Sequence, residues 1–177
     1  MSLRLRKFEK SNFAQLKNWF KSEEDVLLWA GESMPYPFES IDLRMLMKDH
    51  RGPRPVREIW AVCDALETVI GHVQITYNER TQQAVLGRIG LDPAVRGQKL
   101  ALPMVKMAVD KAFERADINR VELRVYDHNA AASHVYEKAG FVLEGTRRKS
   151  TPIRGTYWNT NIMSILREEY AAFDKRT

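Results

Sequence analysis

The stretch Leu91-Asp92-Pro93-Ala94-Val95-Arg96-Gly97-Gln98-Lys99-Leu100-Ala101 carries residue types in an order that suits an anion. An apolar run (Val85, Leu86, Ile89, Leu91) stops at Asp92-Pro93, a short Arg-Gly loop follows, and a helical pattern then begins. A strand that ends in such a loop and feeds a helix aims several free backbone N–H groups at one spot. With the positive end of the helix dipole, those donors bind a phosphate or pyrophosphate. Gly97 lets the backbone approach the anion, and Arg96 adds a fixed charge. Lys99 either adds a cation to the phosphates, crowds them, or is a solvated lysine on a tolerant loop. Pro103 is harmless only in the first turn of a helix, so the helix is expected to begin near Leu100. Many strand–helix turns carry Arg and Gly, and the loop by itself does not fix a function.

A second segment, Asn129-Ala-Ala-Ala-Ser133-His-Val-Tyr136-Glu-Lys138-Ala-Gly140-Phe141, sets Asn129, Ser133 and Tyr136 on one face of a short helix. Together the two segments resemble the GNAT superfamily, the acetyl-CoA-dependent N-acetyltransferases, and within it the branch of ribosomal-protein and spermidine N-acetyltransferases. The first matches the family's pyrophosphate loop at Arg96, Gly97 and Ala101, with Lys99 where the family has its middle glycine. The second matches the family's Asn…Ala…Tyr-x-Lys-x-Gly-Phe helix and turn. The resemblance spans nearly the whole chain. It implies an α/β (α+β) fold: a mixed, mostly antiparallel sheet of about seven strands, helices on both faces, and strands 4 and 5 splayed apart. It also implies a single domain over residues 1–177 and acetyl-CoA as co-substrate, with no metal.

In the resembled fold the gap between the splayed strands admits the pantetheine arm, whose amides pair with backbone of the first strand as an added strand would. Gly90 and Leu91 would supply that backbone, and Gly90 would serve a bulge or a close approach, or be a simple kink. Arg96, Gly97, Gln98, Lys99, Leu100 and Ala101 would hold the cofactor's phosphates. Asn129 matches the position that contacts cofactor or orders water. Its commonest job, the N-cap of the helix, is compatible with that contact. Ser133 would meet the pantetheine or phosphate end. Tyr136 matches the family's general acid; the blander alternative is a tyrosine packing the helix onto the sheet.

Transfer of acetyl from a thioester to an amine needs a neutral attacking amine and a proton for the departing thiolate. A phenol with a pKa near ~10 is protonated at neutral pH, and a thiolate of pKa near ~8.5 can take its proton when held close. A covalent acyl-enzyme would need an activated nucleophile. Cys63 is the only thiol and sits in an apolar strand away from both motifs, so it reads as buried and inert. His128 and His134 have no ligand-spaced cluster around them. Direct attack in a ternary complex is therefore expected. The acceptor pocket is expected from the N-terminal segment, where Glu23, Glu24, Asp25, Glu32 and Glu39 lie beside Trp29, Tyr36 and Phe38. Trp29, Glu32 and Tyr36 are the candidate acceptor residues for a cationic primary amine, with Glu32 also a candidate proton acceptor. A solvated acidic helix end explains the same residues. Tyr157, Trp158 and Asn159 are a further candidate lining.

The elements that must position these residues follow from periodicity. Leu3, Leu5 and Phe8 suggest a first strand, and Ser11 a cap for a helix with Phe13, Leu16, Trp19 and Phe20 on one face. Residues Asp25 to Phe38 look irregular, and Ser40 is expected to cap a second helix running to about His50. Arg51-Gly-Pro-Arg-Pro is a loop. Strands are expected at Glu58–Cys63, Val69–Tyr77, Ala84–Leu91, Val121–Val125, Phe141–Arg147 and Tyr157–Leu166. Val105, Ala108, Val109, Ala112 and Phe113 mark the helix after the loop.

The chain has 177 residues, 44% of them hydrophobic, which suits one domain with a real core. One cysteine excludes an internal disulfide framework, and the N-terminus has no apolar signal region. No run approaches the ~18 apolar residues of a membrane span, so a cytoplasmic location and no membrane partner are expected. The net charge of +5 is spread along the chain and is explained by a polyanionic co-substrate without nucleic acid. The acceptor is a small-molecule amine or a protein N-terminus, and a homodimer is the default assembly. A GNAT-fold module that senses acyl-CoA without turnover is the rival reading, kept open by Lys99 and Pro103.

Overall fold

The computed structural model describes residues 2–48, 50 and 52–174, the last two of these by backbone alone. Among them, alternating apolar residues form a seven-stranded sheet in the order β1-β2-β3-β4-β5-β7-β6. The strands are β1 (Arg4–Lys7), β2 (Arg57–Cys63), β3 (Val69–Asn78), β4 (Gln83–Leu91), β5 (Arg120–Tyr126), β6 (Val142–Ile153) and β7 (Thr156–Leu166). Every neighbouring pair is antiparallel except β4 and β5, which run parallel. A parallel pair needs a crossover, and helix α4 (Ala101–Phe113) supplies it.

The strand period of two sends side chains to two separate cores. In β2, Ile59, Ala61 and Cys63 join an aromatic cluster with α1 (Phe13–Asn18), α2 (Glu23–Ala30) and α3 (Ser40–Leu46). Val62 instead faces the cluster formed with α4, α5 (Ala130–Lys138) and α6 (Arg167–Asp174). The helices therefore cover both faces, as expected. Met104, Val105, Ala108, Val109 and Ala112 form the buried stripe of α4. Pro103 is its third residue, inside the first turn, where its missing N–H breaks no helix bond.

The caps differ from expectation. Ser11 does not cap α1: it lies inside a 3-10 turn, Lys10–Asn12, where Glu9 and Asn12 bond reciprocally. Ser40 is the first residue of α3; the cap is Glu39, whose amide donates to Asp42 at 2.6 Å. That helix stops at Leu46 rather than near His50. The Arg51 part of the expected loop lies outside the described residues. Much of the stretch expected to be irregular is helix α2, because Ser22 and Asp25 form a capping box at its start. Helix α6 also follows β7, with Tyr170 packed on the α4 face. Beneath α5, Phe141 N–H bonds the Tyr136 carbonyl and Gly140 N–H the Glu137 carbonyl, with Gly140 at φ +97°. This is a Schellman ending, and it seats Tyr136 one turn before the stop.

Candidate active site

β4 and β5 pair only from Gln83↔Arg120 to Leu86↔Leu123. Beyond Leu86 the strands part, and a cleft of about 610 Å³ opens between them. Two features of β4 force the separation. Its register against β3 slips between His72↔Gly90 and Gln74↔Gly87, and Arg88 sits at φ +47°, so the bulge falls at Arg88-Ile89. Gly90 itself is paired with His72, and its role is close approach: a Cβ there would stand 3.1 Å from Trp29 Cδ1.

Past β4, Asp92 closes a 3-10 turn by accepting from Ala94 N–H at 2.9 Å. Gly97 and Lys99 then take positive φ, +80° and +60°. Among the described residues, the amides of Gly97 to Leu102, Pro103 having none, donate to no protein acceptor. Consecutive unpaired amides at the start of a 13-residue helix form an anion-binding nest. Lys99 thus occupies a left-handed position where the family has glycine, at a cost of about 1 kcal/mol or more. None of the residues from Leu91 to Ala101 lines the cleft, which begins at the other end of the open edge.

Asn129 is the N-cap of α5: its Oδ1 accepts from Ala132 N–H at 3.2 Å, leaving the amide NH2 for the cleft that it lines. One turn on, the Ser133 hydroxyl is buried with no hydrogen-bond partner among the described residues. A further turn brings Tyr136, 9% exposed, whose ring edge packs on Phe141 at 6.1 Å and which also lines the cleft. Burial raises its phenol to about 12, and the hydroxyl has no hydrogen-bond partner among the described residues. It is therefore a protonated donor with a free proton at the point where the strands divide.

The opposite wall comes from α2, the turn after it, β4 and the β6–β7 hairpin. Trp29 is mostly buried, stacked on Phe20 at 4.5 Å, with its indole N–H donating to the Arg88 carbonyl at 2.8 Å. That carbonyl also accepts from Nδ1 of fully buried His72, 2.8 Å away; burial holds this imidazole down to about 4, so it is neutral. Glu32 lines the cleft, while Tyr36 lies in an adjoining groove that also touches Glu32, its hydroxyl bonded to the Lys21 carbonyl. The acidic cast of this segment is largely consumed elsewhere. Glu23 pairs with Arg154, Asp25 accepts from the amides before α2, and Glu39 pairs with Lys17.

The structure thus brings Trp29, Glu32, Asn129 and Tyr136 to one cleft, with the loop Arg96–Ala101 at the end of β4 beyond it. Tyr157, Trp158 and Asn159 do not line it. Trp158 packs on Tyr126 and His128, and Asn159 bonds Asp127 and the Lys149 amide. Sequence reasoning missed Arg88, Arg124, Arg147, Ser150, Thr151 and Thr160, which do line it. Arg88 and Arg124 carried a signal, a charge between apolar residues of an expected strand.

Residues 2–142 match the family model of the acetyltransferase (GNAT) domain. The spermidine N(1)-acetyltransferase of Vibrio cholerae serotype O1 (strain ATCC 39315 / El Tor Inaba N16961) is 28% identical over 169 residues, which cover 95% of each chain. The L-amino acid N-acetyltransferase AaaT of Escherichia coli (strain K12) is 25% identical over 122 residues, 67% of this chain and 74% of that protein. A crystal structure of spermidine N-acetyltransferase from Vibrio cholerae in complex with CoA and spermine has a TM-score of 0.82 and 25% identity, covering 96% of this chain and 98% of that one.

Proposed function

Because the chain belongs to the acetyltransferase (GNAT) family and is an acetyl-CoA:amine N-acetyltransferase, we propose that a primary amine attacks the acetyl thioester directly, in the cleft where β4 and β5 part, with Tyr136 as general acid. The observation that carries this reading is the hydroxyl of the mostly buried Tyr136, protonated, without a hydrogen-bond partner among the described residues and open to the cleft at the fork of the strands.

The amides of Gly97 to Leu102 and the Arg96 side chain hold the pyrophosphate of acetyl-CoA. The open edge of β4, including Gly90 and Leu91, pairs with the pantetheine amides, which places the thioester near Tyr136. Ser133 gives the co-substrate a hydroxyl that otherwise lacks a partner, and the free amide of Asn129 holds a carbonyl or a water. Acetyl-CoA supplies the activated acyl group. Glu32 attracts the acceptor ammonium and takes its proton, directly or through water; Trp29 backs the wall, and Tyr36 extends it into the adjoining groove. The amine nitrogen forms the new C–N bond, the C–S bond breaks as Tyr136 gives its proton to the leaving sulfur, and the second proton lost by the nitrogen passes through water to return Tyr136 to its neutral form.

Tyr136→Phe keeps the ring and removes the proton. Turnover measured by thiol release should fall ~10²–10⁴-fold with CoA affinity nearly unchanged, because the hydroxyl acts in the transition state. With the phenol held up at about 12, wild-type kcat/KM should rise with pH as the acceptor ammonium deprotonates and show no falling limb from Tyr136 below pH ~11. Near-normal turnover in the variant would reduce Tyr136 to packing.

A further inference from the structure

We infer that the acceptor carries a carboxylate beside its primary amine, and that Arg88, on the bulge of β4, recognises that carboxylate. This rests on the acetyltransfer reading above and names the acceptor class for it.

The first observation is the charge of the cleft. Its lining includes Arg88, Arg147 and Arg124, the last of them 3.7 Å from the Glu122 carboxylate, and a single lining carboxylate, Glu32. A polyamine carries several ammonium groups and calls for several carboxylates around it. This cleft offers one, because Glu23, Asp25 and Glu39 are committed to ion pairs and caps outside it. An amine with a nearby carboxylate matches both signs: ammonium toward Glu32, carboxylate toward the arginines.

The second observation is the state of Arg88. Its Nη1 donates to Gln74 Oε1 at 2.8 Å and its Nη2 to Ser33 Oγ at 2.9 Å. Both acceptors are neutral. Its Nε is buried with no partner, and no carboxylate pairs with the guanidinium among the described residues. A mostly buried cation without an anion is costly, and structures rarely keep one without a use. Burial, and secondarily the charge of Arg57, lower this guanidinium to about 10, still charged at neutral pH. Gln74 and Ser33 fix the fork in place from β3 and from the turn after α2, each using one hydrogen of a terminal nitrogen. The remaining hydrogens on Nη1 and Nη2 can face one carboxylate in a bidentate pair.

The third observation is the setting. The bulge that splays β4 from β5 begins at Arg88, which sits at φ +47° and whose carbonyl is clamped by Trp29 and His72. The backbone that opens the cleft is therefore the backbone that aims the arginine. Arg147 on β6, exposed and without an ion pair among the described residues, is the second cation that a carboxylate would meet.

The test is thiol release with matched acceptors: L-amino acids, their carboxamides, peptides with an acidic second residue and an amidated C-terminus, and spermidine. At least one carboxylate-bearing amine should exceed its neutral match by ~10–100-fold in kcat/KM, the range of a charge-assisted bidentate contact. Preference for the amino acids or for the acidic peptides identifies the source of the carboxylate. Arg88→Gln should bring the ratio near one through KM for the acceptor, with KM for acetyl-CoA unchanged, and Arg88→Lys should keep part of it. Should Arg88→Gln fail to fold, Arg88→Lys and Arg147→Gln carry the test, each lowering the ratio. Ratios near one for every pair, or spermidine preferred and indifferent to these changes, would overturn the proposal. If no amine is acetylated, the transfer reading fails, and calorimetry with N-acetyl amino acids in the presence of CoA decides separately. Binding lost in the Arg88 variants supports the arginine site, and no binding to wild type overturns it.

Discussion

The two ends of the cleft are made of different materials. At the proposed cofactor end the donors are backbone: the amides of Gly97 to Leu102, unpaired among the described residues and held by two positive-φ residues and the start of α4. At the proposed acceptor end the cleft is lined by charged side chains, Glu32, Arg88, Arg124 and Arg147, brought from four separate stretches of chain. Backbone binds a phosphate whatever the side chains are, provided the turn is kept. Side chains choose an acceptor, and they change without disturbing the turn. One end can stay constant within a family while the other sets what is acetylated.

The contrast can be broken at the loop with the larger effect. Gly97→Asp puts a carboxylate where the pyrophosphate is proposed to sit, and CoA affinity by calorimetry should fall roughly 10–100-fold, the range of a like-charge repulsion of about 1.4–2.7 kcal/mol at a solvated loop. Gly97→Asn is the control: it has the same shape, carries no charge and tolerates the left-handed conformation. It should lose far less. Equal losses in the two variants would mean that backbone conformation, not the anion, is what Gly97 serves.

A smaller effect sharpens the other end. Glu32 is exposed, so its attraction for an ammonium is screened. Glu32→Gln should raise KM for cationic amines roughly 2–5-fold and leave CoA binding intact. The same change for neutral and cationic acceptors, or none, would make Glu32 part of a solvated turn.

The difference in materials also decides what could be read before the structure. The loop was legible because Asp92-Pro93, Gly97 and the following helical period are local signals. Asn129, Tyr136 and Gly140 were legible for the same reason, since a cap, one helical face and a stop lie within one short segment. The bulge at Arg88 was not legible: Gly90 drew attention, but its glycine is needed for Trp29, which approaches from 61 residues earlier in the chain. The acidic segment was overread, because whether a carboxylate is free depends on partners such as Arg154 that no local pattern reveals. Helix α2 was missed because Gly31, Pro35 and Pro37 drew attention to the irregular part and away from the capping box at Ser22.

The central claim is that the co-substrate runs along the open edge of β4 from the loop to Tyr136. Hydrogen exchange of the backbone amides with and without CoA tests it most directly. The account predicts slowed exchange at the non-proline amides of residues 97–102, and along the open edge of β4 between Gly87 and Leu91, with no change along β6. Exchange unchanged at the loop and at that edge, while CoA is bound, would contradict it.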